Sequence, residues 1–242
     1  DDSVAILRWA AGFTFPDIER DWEMVALRHP TEYPIIEGRI ASTDGIDITA
    51  DEFDAAFEEV HVAHSTSLYG KVRARGTYLT GPLARYALNY DRLPAHIQAL
   101  AREVGLGPVC RNPYRSILVR AIETVYMCEE ALRLIAAYRP PPVAAMPFTP
   151  RAGTGAWATE APRGMLWHRY EVDAEGTILS ARIAPPTAQN QAAIDSDVMV
   201  VANRHIAEPD DALQLACETA VRNHDPCISC STHFLKLNVT RR

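Results

Sequence analysis

Residues 113–137, P-Y-R-S-I-L-V-R-A-I-E-T-V-Y-M-C-E-E-A-L-R-L-I-A-A, constrain the fold of this chain more than any other stretch. Ile117, Leu118, Ala121, Ile122, Val125, Cys128, Leu132 and Ile135 recur at helical spacing. Asn112 is placed to cap the helix, Pro113 suits its first turn, and R-P-P-P at 139–142 stops it. Shorter helical patterns run over 92–104, ended by Gly105, and over 188–204 and 209–223. Residues 17–29 put Ile18, Trp22, Met24 and Val25 near one side between Pro16 and Pro30, which predicts an amphipathic helix.

Extended elements are fewer. A D-G turn between β-rich runs predicts a hairpin within 34–48, and D-A-E-G predicts a second within 164–184. Residues 50–59 suggest a short helix, and 60–72 strand or extended chain. Residues 139–162, rich in Pro, Gly and Ala, read as a long irregular segment, a kind of segment that is often functional. The sum is a helix-dominated α+β fold, with no internal repeat.

A chain of 242 residues with 48% hydrophobic residues can bury a sizeable core, as one large domain or two modest ones. Its formal net charge of −7 argues against binding nucleic-acid phosphates. No apolar run is long enough for a membrane span, and the first residues lack the basic region of a signal peptide. The absent initiator Met suggests a processed product or part of something longer. Five scattered cysteines make a poor disulfide framework, so a reducing cytoplasm is the expected setting.

Two of those cysteines lie in D-P-C-I-S-C-S-T-H, residues 225–233. Cys227, Cys230 and His233 have the spacing of half a metal site. A thioredoxin-like pair precedes a helix, whereas this one follows a helix. A structural zinc site needs four ligands, and the motif supplies three. A soft-metal site completed by another polypeptide would suit thiolates. The bland reading is two packed cysteines without a ligand role.

Other stretches narrow these choices. T-E-A-P-R-G-M-L-W-H at 159–168, A-P-P-T-A-Q-N at 184–190, R-N-P-Y-R-S-I-L-V-R-A-I-E at 111–123 and the D-P-C-x-x-C-x-x-H motif resemble, in order, those of the large catalytic subunit of nickel–iron hydrogenases. Y-P-I-I-E-G-R-I at 33–40 resembles the soluble, multisubunit cytoplasmic branch. The resemblance spans nearly the whole chain. It implies that residues 1–242 form the C-terminal portion of such a subunit, a helical core with peripheral β-hairpins.

The resemblance also implies a site. Cys227 would be a terminal nickel ligand and Cys230 would bridge nickel to an iron carrying one carbon monoxide and two cyanides. His233 would bind magnesium or a similar divalent ion, and Asp225 would be a carboxylate beside the metals. Arg163 would sit over the open metal face, while Pro162, Arg163, Pro186 and Thr187 would hold the cyanides, whose nitrogens accept hydrogen bonds. The implied reaction is the reversible heterolytic cleavage of H2. Electrons would leave through iron–sulfur clusters in a small subunit, and NAD(P) or flavin would bind on diaphorase subunits. The chain shows neither a ferredoxin-type cysteine run nor a Gly-rich dinucleotide fingerprint.

Each residue has a plainer reading. Arg163 would be a surface arginine in a turn, Thr187 a helix cap, and His168 a structural histidine in a strand. Arg115, Arg120 and Glu123 suggest a buried ion-pair network, and Cys110, Cys128 and Cys217 suggest packing. The pattern also departs from the family. The first cysteine pair, R-x-C-G-x-C, is absent, so the N-terminal part of the large subunit must come from elsewhere or be lost. Residues also follow His233, where many members are cut. A metal-free relative of the complex I type and a zinc-binding module are the competing functions.

Overall fold

The computed structural model describes residues 2–227. Seven helices are found among them: α1 (Asp2–Ala11), α2 (Phe53–Ala56), α3 (Pro82–Asn89), α4 (Ala95–Glu103), α5 (Ser116–Ala137), α6 (Pro186–His205) and α7 (Asp210–Asn223). Nine strands accompany them: β1 (Glu23–Arg28), β2 (Arg39–Ser42), β3 (Asp47–Ile48), β4 (Phe57–His61), β5 (Leu68–Val72), β6 (Tyr78–Leu79), β7 (Gly153–Ala161), β8 (Gly164–Val172) and β9 (Ile178–Ala184). Helix accounts for 42% and strand for 22%, so the helix-dominated α+β expectation holds.

The long helix forms where its pattern places it. Asn112 Oδ1 accepts the Tyr114 N–H at 2.9 Å, and Pro113 opens a 3-10 turn that runs into α5. The first half of α5 is buried, with Leu118, Val119, Ile122 and Val125 in a core shared with α1, α3 and α4. Its second half projects, leaving Leu132, Leu134 and Ile135 exposed.

Strand order in the mixed sheet is β3-β2-β1-β6, with β6 parallel to β1. The helix expected over 17–29 is not formed; Glu23–Arg28 is the strand β1 instead. Met24, Val25, Ala26 and Leu27 are all fully buried, whereas an amphipathic helix would bury only one stripe. Four consecutive buried apolar residues suit a strand covered on both faces. Helices α1 and α3 were not anticipated.

Strands β7, β8 and β9 form an antiparallel meander. The irregular segment expected over 139–162 ends early, because β7 begins at Gly153. The expected turn at 173–176 joins β8 to β9. A second core lies between this meander and β1–β2. There Trp167 stacks on Phe53 at 4.3 Å and its indole N–H reaches Ala50 O at 2.8 Å.

Candidate metal centre

Four segments meet at one place. The first is the two-residue tip of the β7–β8 hairpin, Pro162-Arg163, closed by the Ala161–Gly164 pair. Gly164 has φ +136°, and a Cβ there would lie 2.7 Å from Thr80 Cγ2 and 2.8 Å from Gly81 N. Gly81, at φ +116°, lies equally tight against Arg163 O. Two residues without side chains therefore let the start of α3 press directly on the arginine turn.

Beneath that turn lies a buried ionic cluster. Arg85 on α3 pairs bidentately with Glu123 on α5, both bonds at 2.8 Å, and with Glu160 on β7 at 2.8 Å. Tyr33 Oη donates to Glu123 at 2.6 Å, and the Leu27 N–H donates to Glu160 at 2.7 Å. Arg85 also donates to Ala161 O at 2.7 Å and Pro162 O at 3.1 Å, so it grips the turn itself. Burial pushes the Glu160 carboxyl up to about 7, although Arg85 pulls the other way. Burial and the Glu123 charge push the Tyr33 phenol up as well.

The second segment is the start of α6. Pro186 occupies its first turn, and Thr187 beside it is 2% exposed. The third is the start of α5, where Ser116 Oγ donates to Asn223 O at 2.8 Å and Arg120 to the same oxygen at 3.5 Å. Burial lowers the pKa of Arg120, while the nearby Asp225 and Glu123 charges oppose that shift.

The fourth is the chain leaving α7. Asp225 adopts φ +47°, which turns the backbone sharply toward Cys227. Arg163 Nε donates to Asp225 O at 2.5 Å and lies 3.4 Å from its carboxylate. The Cys227 N–H donates to Thr187 Oγ1 at 3.3 Å. Thr187 accepts that bond, so its own O–H remains a donor.

Arg163, Asp225, Thr187 and Cys227 are thus brought together although Arg163 and Asp225 lie 62 residues apart in sequence, and Pro162 and Pro186 flank them. Cys230 and His233 lie outside the described residues. Arg163 sits in a turn with 37% of its side chain exposed, as its plainer reading has it, and is also paired with Asp225. Of Arg115, Arg120 and Glu123, only Glu123 joins a buried ion-pair network; Arg115 instead caps the end of α4 through Val104 O and Gly105 O. Cys110 and Cys217 are buried as expected, but Cys128 is exposed. It lines an open groove of about 570 Å³ with Arg120, Thr124, Met127, Ile35 and Pro162. His168 lies within β8, as expected.

Among the described residues, Cys227 offers a soft thiol, Thr187 a buried hydroxyl donor and Arg163 a guanidinium paired with Asp225, donor types that suit a thiolate-held metal with hydrogen-bond-accepting ligands. The sequence pointed to Glu123 as a buried ion-pair residue but not to Arg85, Gly81 or His224 as parts of this arrangement. Glu123 and His224 sit inside or beside recognisable motifs, but Arg85 carries no local signal.

Comparison with known proteins bears on the same site. No family model matches the sequence. The chain is 30% identical over 211 residues to the sulfhydrogenase 1 alpha subunit of Pyrococcus furiosus, covering 85% of this chain and 48% of that one. It is 29% identical over 201 residues to the beta subunit of the NAD-reducing hydrogenase HoxS of Cupriavidus necator, covering 76% of this chain and 40% of that one. The fold matches a chain of an NAD+-reducing [NiFe]-hydrogenase solved in the H2-reduced state, with a TM-score of 0.73 at 23% identity. That match covers 96% of this chain and 56% of the other. By sequence the chain is similar to hydrogenase subunits over most of its length, and its fold is that of a [NiFe]-hydrogenase chain. It spans about half the length of the curated relatives it matches. No described helix is long and apolar enough to cross a membrane.

Proposed function

We propose that residues 1–242 are the C-terminal portion of a nickel–iron hydrogenase large subunit and supply half of the metal ligands. The observation that carries this reading is the meeting of Arg163, Asp225, Thr187 and Cys227 at one point. Cys227 would hold nickel, and Cys230 would bridge nickel and iron. The hydroxyl of Thr187, with backbone at Pro162 and Pro186, would hold the cyanides. His233 would take a magnesium or similar ion. When bound, the centre supplies the redox chemistry that splits H2 heterolytically into protons and electrons.

The chain's own residues have three tasks. Thr187 orients the Cys227 segment and offers its O–H to an acceptor. Arg163 holds a fixed positive charge at the site and, paired with Asp225, would steer a departing proton. Arg85 keeps the Arg163 turn in place from beneath.

The other two thiolates come from the N-terminal part of the large subunit. We assign the docking of that part to the groove beside Pro162 and Arg120, on the same helix α5 that leaves Leu134 and Ile135 exposed. Electrons pass to an iron–sulfur small subunit and, in the soluble cytoplasmic complex, onward to NAD(P)-reducing diaphorase subunits.

Metal analysis of the protein isolated with its partners tests the reading. Nickel and iron together support it. Zinc alone would assign a zinc module, and no metal would assign a structural relative. Cys230→Ser abolishes retention of both metals, whereas Cys110→Ser leaves them in place.

A further inference from the structure

His224, one residue before Asp225, is buried between α6 and α7, with its side chain 5% exposed. Its Nε2 meets Asp197 Oδ2 at 2.9 Å, and Asp197 is itself 4% exposed. The other Asp197 oxygen accepts from Arg20 Nε at 2.7 Å, and Arg20 also reaches Ser196 Oγ at 2.6 Å. Each oxygen of the carboxylate thus has a partner, Oδ1 Arg20 and Oδ2 His224.

Each residue of 223–225 is held by a different element. Asn223 O is held from α5, the His224 side chain from α6, and Asp225 O from the β7–β8 turn. Of these three anchors, that of His224 alone is made by its own side chain, so substitution removes it while the groups that bond Asn223 O and Asp225 O remain in place. A carboxylate–imidazole pair with both partners buried fixes ring orientation strongly, because either group unpaired there is costly.

The geometry points to His224 as a positioning residue for Cys227, with Asp197 and Arg20 as its support. The Arg20–Asp197–His224 chain sets the exit of α7 so that the Asp225 turn delivers Cys227 to Thr187. This assignment rests on the reading of Cys227 as a nickel ligand, but its structural half is independent of metal.

Backbone amide exchange of Cys227, followed by NMR on the full metal-free chain, tests that half. His224→Ala and Asp197→Asn are expected to speed exchange at Cys227 about ten- to a hundredfold, the equivalent of one charge-assisted hydrogen bond. His224→Gln, which keeps an N–H donor, restores most of the protection. Val201→Ala, in the apolar contact between α6 and α7, lowers stability while keeping both groups of the ion pair. It is expected to leave the ratio of Cys227 exchange to that of α6 amides unchanged. In the assembled complex, His224→Ala is then expected to lower nickel retention. Unchanged exchange in His224→Ala, or an equal rise in Val201→Ala, overturns the positioning role. Faster exchange with full nickel retention leaves the anchor standing and instead removes Cys227 from the nickel site.

Discussion

Replacing Arg85 with Met separates the ionic cluster from the rest of the fold. Arg85 is 3% exposed and lies between two buried carboxylates, Glu123 and Glu160, the latter with a side chain wholly out of solvent. The Met fills much of the same volume, so the loss is electrostatic. Removing one partner from a buried pair costs about 3–5 kcal/mol, because the remaining charge is stranded. That is a large share of the roughly 5–15 kcal/mol that holds a domain together.

The pH dependence gives a second handle. In the native chain Glu160 titrates near 7, above its ordinary value, because burial outweighs Arg85. Its folded pKa is raised, so the folded state binds the extra proton. Glu160's contribution to stability is therefore present in full below its ordinary value and lost as pH rises through about 7. Without Arg85 the carboxyl is raised further still. The variant then keeps a proton above pH 7 that the native chain has released. Its deficit grows above pH 7 by up to about 1.4 kcal/mol per pH unit for that one proton. Urea unfolding of the 242-residue chain at pH 6, 7 and 8, read by tryptophan fluorescence, measures both effects. A loss below about 1 kcal/mol, or a loss that does not change between pH 7 and 8, refutes the argument.

Two further substitutions probe neighbouring features. Gly164→Ala strains a backbone at φ +136° and drives a methyl into Thr80 and Gly81; a midpoint shift equivalent to about 1–3 kcal/mol, with weaker nickel retention in the complex, is expected. Trp167→Ala empties the centre of the second core, where the ring stacks on Phe53. It is expected to cost about 3–5 kcal/mol in the same unfolding assay, while Cys227 exchange relative to α6 keeps its native ratio.

What the sequence shows plainly is what local spacing encodes. The α5 pattern, its Asn112 cap and the Pro stop require only neighbours along the chain, and they appear where expected. The β8–β9 turn is legible for the same reason. The reading of 17–29 fails because helical spacing and a doubly buried strand both tolerate M-V-A-L, and only the partners β2 and β6 decide between them. Those partners lie up to 55 residues away, at Glu23 and Tyr78.

The site divides along the same line. Arg163, Thr187, Asp225 and Cys227, which the fold brings together, each stand in a stretch that the sequence singles out. Their support does not, because it is built from contacts between distant elements. Arg85 meets Glu123 38 residues on and Glu160 75 residues on, and nothing about an arginine in L-A-R-Y-A announces either partner. Asp197 is equally silent, an acidic residue in a helix that ordinarily faces water, yet it is 4% exposed because α6 carries a buried polar face. That face, from Thr187 through Gln189 and Asn190 to Asp197, bonds in turn to Cys227, Met165 O, Thr80 and His224. A helix whose buried side is polar contributes little through the hydrophobic effect, and its low contrast hides it from a reading by periodicity. Its partners are hydrogen-bonding groups at the ends of other elements, so it fixes the relative positions of the arginine turn, the β6–α3 junction and the cysteine segment. Helix α6 is in that sense the frame on which the two halves of the described site are registered.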